Sequence, residues 1–327
     1  MEQQTNHKNP IVRFFGEPYR YAALFALLLT AAFAFTLLDA FVIPKALRSA
    51  PENDVLRLPS VSEQSPPSDS NDSDQSRLDD PEDEIVPVIT ANSYKDNNIE
   101  ITIETVRVYE TEVYIADVKV NSAAYLKTAF ANNVYGRNIN EKTSAIAGKQ
   151  NAIFAVNGDY YGFRDGGWVL RNGVLYRSGG SDAALLMDMA GNLSCSGNNG
   201  DIEKQASNLW QIWSFGPQLV ADGEVAVTKN QEISGRSSNS NPRTAIGQID
   251  SLHYLFIVSD GRTRESAGLS LYQLASLFAG RGCSIAYNLD GGGSTTMVFN
   301  GQIINKPTTG GNRISEREVS DIVYIGY

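Results

Sequence analysis

Histidine and cysteine are scarce in this chain of 327 residues, which has two of each: His7, His253, Cys195 and Cys283. So few imidazoles make a histidine-rich zinc site or a Ser-His-Asp triad hard to assemble. His253 lies in an alternating run, where a place on a strand face is the simpler account. The two cysteines are compatible with one disulfide in an oxidising exterior or with two buried thiols, and their spacing does not choose between them. Basic clusters are also missing. With a formal net charge of -10 and a pI near 4.8, a nucleic-acid partner loses support. No internal repeat and no regular alternation of strands with helices is visible, which argues against a Rossmann or barrel fold. Any chemistry must therefore be carried by carboxylates and arginines.

What is present is unevenly distributed. Residues 19–43 are nearly all apolar and long enough to span a bilayer. A cleaved secretory signal would have a shorter apolar core and a small-residue cleavage site, whereas here Asp39 is followed by more apolar residues before Pro44. The expectation is an uncleaved anchor. Lys8, Arg13 and Arg20 precede it and Lys45 and Arg48 follow, a small excess that points to a cytoplasmic tail (1–18) with the bulk of the chain outside. Residues 44–90 then turn rich in Ser, Pro and Asp, as in Ser65-Pro66-Pro67-Ser68-Asp69 and Asp79-Asp80-Pro81-Glu82-Asp83-Glu84. Such a segment buries too little apolar surface to offset the entropy of ordering, so it is expected to be a disordered acidic tether that holds much of the net charge.

Residues 91–327 read as one α+β domain, a strand-rich mixed sheet with few helices. Short strands are expected at 99–109, 113–120, 152–156, 183–189, 243–248, 253–258, 284–289, 296–299 and 319–325. The clearest helix is 271–279, where Leu271, Leu274, Ala275 and Phe278 share a face and Gly280 and Gly282 supply the stop. A weaker one is 142–150.

Four strand ends carry candidate chemistry. Asn288-Leu289-Asp290-Gly291-Gly292-Gly293-Ser294-Thr295 delivers a carboxylate onto glycines, whose amides are placed to cradle an anion beside Asp290. No lysine follows, and Thr296-Met297-Val298-Phe299 reads as strand, so a nucleotide-binding phosphate loop is excluded. The bland alternative is a tight turn capped by Asp290. Asn157-Gly158-Asp159-Tyr160-Tyr161-Gly162 follows another apolar strand; Asn157 or Asp159 suits sugar hydroxyls and Tyr160 or Tyr161 a sugar face, although taken alone the run is better explained as an ordinary turn with core tyrosines. Arg243 opens a third strand with a guanidinium able to grip phosphate through two parallel hydrogen bonds. Asp260-Gly261-Arg262 gives a further acid and base at a strand exit.

In order and spacing these segments resemble the phosphodiester glycosidase family. The match rests on Arg243-Thr244-Ala245-Ile246-Gly247, Asp260-Gly261, Gly268 with Leu271, and Asn288-Leu289-Asp290-Gly291-Gly292-Gly293-Ser294. Weaker agreement reaches Asn300-Gly301, Pro307 and Arg317 with Val319-Ser320. It covers roughly residues 152–327. Asp159 stands where the family more often has glycine and aromatics, and Arg262 and Asp321 stand where relatives can carry other residues, so Asp290, Arg243 and Asn157 carry the most weight.

The resemblance implies hydrolysis between a sugar anomeric carbon and a phosphodiester oxygen. Asp290 or Asp260 would stabilise oxocarbenium character or activate water. Arg243 and the amides of Gly291 to Gly293 would bind phosphate, and Asn157 and Tyr160 would orient the sugar. Asp159, Arg262, Asn288, Ser294 and Arg317 complete the expected substrate-binding set. No cofactor is required; a divalent cation on carboxylates and carbonyls stays open, with no ligand spacing to support it. An anchored domain outside the cytoplasm points to sugar-1-phosphate linkages in cell-surface polysaccharides, with a place in exopolysaccharide metabolism. Two other readings remain at this point: a non-catalytic module for anionic glycans, and a glycosyl- or phosphotransferase in polymer assembly.

Overall fold

The computed structural model describes residues 18–50, 86–180, 183–230, 240–311 and 313–327. The acidic run 65–84 and the basic residues Lys8 and Arg13 lie outside them. The chain divides into two units, Met1–Lys45 and Ala46–Tyr327.

In the first unit the helix Pro18–Phe41 contains a stretch, Tyr19–Phe41, long and apolar enough to cross a membrane. Its 24 residues give about 36 Å of helix at ~1.5 Å per residue, against a hydrocarbon core of ~30 Å.

The second unit is the strand-rich α+β domain that the pattern predicts, and four α-helices occur among all described residues. Its largest sheet has nine strands. The order runs Glu224–Val225, Gln218–Ala221, Ile285–Asn288, Arg243–Asp250, His253–Ser259, Thr111–Val120, Ile99–Val108, Ser93–Lys95 and Val88–Ile89. The pairings of the central strands are antiparallel. A five-stranded sheet places Phe154–Asn157 between Met297–Phe299 and Asp321–Ile325. Another places Leu209–Trp213 between Val169–Arg171 and Ala184–Asp188.

Burial follows the residue pattern. Ile99, Ile101 and Ile103 point inward while Thr102 and Glu104 are exposed, the period of two that made this strand legible. Tyr254, Leu255, Phe256, Ile257 and Val258 are all buried because the large sheet is covered on both faces. One face meets Phe154, Leu185, Trp213, Met297 and Val323 from the two smaller sheets. On the other, Leu255, Ile257 and Ala245 pack against Leu271, Leu274 and Phe278 of the helix Leu271–Gly280. That helix is started by a capping box: Ser270 Oγ accepts from Gln273 N at 3.2 Å, and Gln273 Oε1 accepts from Ser270 N at 2.9 Å.

Two outcomes bear on the sequence reading. Cys195 and Cys283 are both free thiols, and burial pushes each up to about 12. Within the stretch expected to be tether, Lys45–Ser49 forms a strand paired with Val134–Arg137. Ala50 N donates to Asn133 O at 2.9 Å, and Arg48 lies 5.0 Å from the Tyr176 ring centroid.

Candidate active site

Antiparallel pairing brings the distant motifs together. Ala245 opposes Asn288, so the start of the Arg243–Asp250 strand runs beside the end of Ile285–Asn288, and Leu289 N donates to Thr244 O at 2.9 Å. The Phe154–Asn157 strand arrives from the other sheet and is locked on by Asn157. Its Nδ2 donates to Asp290 O at 2.7 Å, while Oδ1 accepts from Thr244 Oγ1 at 2.8 Å and Thr296 N at 3.3 Å. Fully buried, Asn157 fixes the main chain that carries Asp290. Asn288 is likewise buried, its Nδ2 donating to Gly216 O at 2.8 Å.

Asp290 is 9 % exposed. Oδ1 accepts from Gly291 N at 2.9 Å; Oδ2 accepts from Ser294 Oγ at 2.5 Å and Arg317 Nη2 at 3.0 Å. Burial raises its pKa, against the pull of Arg317, Ser294 and the Gly291 amide toward the ionised form. The Arg317 side chain is 43 % exposed, and its Nε also donates to Ser294 Oγ at 3.0 Å. The direct cationic partner of Asp290 is thus Arg317.

The glycines are required by close packing. Gly292 has φ +63°, and a Cβ there would lie 2.9 Å from Arg262 Nη2. A Cβ on Gly291 would meet Pro242 O at 2.8 Å, and one on Gly293 would meet Thr309 Oγ1 at 3.0 Å and Arg317 Cδ at 3.4 Å. Two guanidinium side chains therefore flank the turn at successive residues. The amides themselves point mostly inward: Gly291 to Asp290, Gly292 to Pro242 O at 2.8 Å, and Ser294 to Gly291 O at 3.3 Å. These three amides are thus already engaged within the turn.

Arg262 is exposed and directs Nε and Nη2 to Asn241 Oδ1 at 3.3 and 3.1 Å. Arg243 is buried, with Nε donating to Leu269 O at 3.0 Å. Burial and the neighbouring Arg262 charge lower Arg243 to about 10. Burial and the Arg317 charge lower Arg262 as well. Two of the arginines near the glycine turn are thus held below their ordinary value, by burial first and by a neighbouring like charge second.

Asp260 is buried behind this turn. It accepts from Tyr114 OH at 3.0 Å, Lys306 N at 2.8 Å and Asn305 Nδ2 at 3.4 Å, and burial raises its pKa against those bonds. Asn305 in turn donates to Thr295 O at 3.1 Å, so Asp260 braces the segment after the glycines. Tyr160 stacks on Phe163 with centroids 4.6 Å apart, and Phe163 is 38 % exposed.

Asp159 faces inward, accepting from Tyr161 N at 3.1 Å and Ser214 N at 2.9 Å. It shares Arg171 with Asp321: Arg171 Nη2 lies 3.0 Å from Asp159 Oδ2 and 2.9 Å from Asp321 Oδ2. No sequence motif singles out Arg171, and Asp321 stands where relatives can carry other residues. The available signal was a charged residue at the end or start of an apolar strand, Trp168-Val169-Leu170-Arg171 and Asp321-Ile322-Val323-Tyr324-Ile325. Among the described residues no group of three or more His, Cys, Asp or Glu is placed to hold a metal.

A family model described as phosphodiester glycosidase matches residues 150–326, which takes in every motif above. The chain belongs to that family. Similar proteins include the SPbeta prophage-derived protein YomE of Bacillus subtilis (strain 168), 31% identical over 208 residues, covering 59% of this chain and 31% of YomE. The mouse N-acetylglucosamine-1-phosphodiester alpha-N-acetylglucosaminidase is 29% identical over 101 residues, 28% of this chain and 19% of that enzyme. The chain thus spans less than a third of the length of either relative. Among solved structures, the zebrafish catalytic domain of the same enzyme, auto-inhibited by its pro-peptide, superposes with a TM-score of 0.58 at 22% identity, covering 73% of this chain and 87% of that one. A hypothetical protein from Synechocystis gives 0.51 at 14% identity, with 70% and 62% covered. At these identities the two structures establish the family's fold for this chain.

Proposed function

We propose that this protein hydrolyses the glycosidic bond of sugar-1-phosphodiesters, acting outside the cytoplasm on cell-surface polysaccharides or their precursors while anchored by its single apolar helix. The observation that carries the reading is Asp290, ion-paired to Arg317 on a glycine turn that Arg262 also flanks. In this reading Arg317 and Arg262 hold the phosphate. The bond from the anomeric carbon to the phosphate oxygen breaks, and its electron pair leaves with the phosphate. Water oxygen bonds to the anomeric carbon and gives up a proton, to Asp290 where it acts as base or to the departing phosphate where Asp290 instead stabilises the oxocarbenium ion. A phosphomonoester has a second pKa near ~6, so it leaves without the strong protonation an alkoxide needs. Asn157 positions Asp290, and Tyr160 with Phe163 offers a flat apolar surface for a sugar ring.

The test is release of free sugar from a sugar-1-phosphodiester by the full-length protein. Asp290→Asn should lower kcat by roughly 10²–10⁴-fold, the usual worth of a positioned acid or base. If wild type releases no sugar from a panel of such diesters yet binds them, the protein is a glycan-binding module instead. If it moves the sugar to an alcohol in preference to water, it is a transferase.

A further inference from the structure

Beneath the Asn157–Tyr161 loop lies a cluster that the proposed hydrolysis does not use. Arg171, Asp159 and Asp321 have side chains 2%, 0% and 0% exposed. Arg171 sends Nε to Asp321 Oδ2 at 2.9 Å and Nη1 to the carbonyl oxygens of Leu170 and Ile212. Its guanidinium carbon lies 5.9 Å from the Tyr161 ring centroid and 6.0 Å from that of Trp213. Two carboxylates thus face one cation, all three side chains buried, and one negative charge is left over. Burying an uncompensated carboxylate is so unfavourable that the group takes up a proton instead.

The hydrogen bonds say which one. Both oxygens of Asp159 are occupied as acceptors, from the backbone amides Tyr161 N and Ser214 N. Asp321 has only Arg171, through Oδ2, and its Oδ1 has no hydrogen-bond partner among the described residues. That oxygen lies directly under Gly158, where a Cβ would come within 2.3 Å of it. The same glycine links the cluster to the site: Gly158 N donates to Asp321 O at 3.0 Å, and Asp290 N donates to Gly158 O at 3.3 Å.

We propose that Arg171, Asp159 and Asp321 form a positioning triad holding one proton, resident on Asp321 Oδ1, which keeps Asp290 the sole anion beside the phosphate-binding arginines. Asp321 acts through Asp290 and does not touch substrate. The charged and titratable groups that face it are Arg171, Asp159, Asp290 and Tyr161. Burial raises the Asp321 pKa to about 8, with Arg171 pulling down and the charges of Asp159 and Asp290 pushing up. The coupling to Asp290 is reciprocal, so ionising Asp321 adds negative charge where the phosphate must bind. The catalytic role of that charge rests on the function proposed above; the resident proton does not.

The sign of the stability effect follows from linkage. The pKa of Asp321 is higher folded than the ~3.9 of an unfolded Asp. Stability from the bound proton is therefore complete below about 4 and is lost as pH rises through about 8.

The experiment is an infrared and thermal-melting titration of the full-length protein from pH 6 to 9.5, on wild type and Asp321→Asn. In wild type a neutral-carboxyl absorption should fade around pH 8, and the melting temperature should fall with rising pH up to about 8 and level off above it. Both features should be missing in Asp321→Asn, whose amide mimics the neutral acid. Should Asp321→Asn fail to fold, Asp159→Asn serves, since removing the neighbouring charge should move the wild-type transition to lower pH. No fading absorption in wild type, or a transition that persists unmoved in a folded variant, overturns the proposal. Neither readout needs substrate, so failure of the hydrolase reading is seen separately. Where sugar release is measurable, the fall in kcat above pH 8 should be present in wild type and absent in Asp321→Asn.

Discussion

Asp290 illustrates how much a single side chain depends on partners that its own motif does not contain. Ser294 and the Gly291 amide are local, but Arg317 and Asn157 come from 27 and 133 residues away. Removing Asn157 as Asn157→Ala leaves Thr244 Oγ1, Thr296 N and the Asp290 carbonyl without their bonds. The expected cost is about 1–3 kcal/mol of stability, the usual penalty for an orphaned buried polar group, read as a lower denaturant midpoint. Arg262 is exposed and screened, so Arg262→Gln should weaken binding of inorganic phosphate only modestly, roughly threefold to tenfold by titration calorimetry, and less as salt rises. Equal affinity in the variant at low salt would remove Arg262 from the anion site.

At the scale of elements, the two contrasting glycines of a strand and a helix give a stability test. Gly247 sits in the Arg243–Asp250 strand beneath the Leu271–Gly280 helix, where a Cβ would lie 2.7 Å from Phe278 Cδ1 and 2.9 Å from Ile285 O. Gly247→Ala should destabilise by about 1–3 kcal/mol through overpacking. Gly148, in the Thr143–Lys149 helix, has nothing within 4 Å of that position, so Gly148→Ala should stabilise by about 0.5–1 kcal/mol. Melting curves of the two variants should shift in opposite directions.

The elements also show where a sequence speaks. The Ile99–Val108 strand alternates and is legible, and the Leu271–Gly280 helix declares its apolar face and glycine stop. By contrast Leu209–Trp213 is buried at all five positions, including Gln211, whose Nε2 donates to Asn172 Oδ1 at 2.7 Å. With both faces covered it shows no period, and a polar residue inside it mimics a loop. Leu126–Phe130 and Val169–Arg171 were missed for the same reason, since each mixes small, polar or charged residues into a buried strand.

For the whole molecule, the apolar helix and the folded unit make separate predictions. If the helix anchors the protein as proposed, the full-length chain should sediment with membranes and keep its N-terminal residues; a mature N-terminus beyond residue 43 would identify a cleaved leader instead. The folded unit should lose stability as pH rises through about 8, through Asp321. The sequence alone determined the apolar span, the strand-rich class and the family's motifs, because period, composition and contiguous residues are local properties. It also supplied Asp290 and its glycines. Only the tertiary structure decided that Arg317 is the partner of Asp290, that Asn157 and Asp159 face inward, and that Arg171 joins two acids under Gly158. Those facts depend on which strand ends meet and on what burial does to a charge, and neither is written in any single segment of the chain.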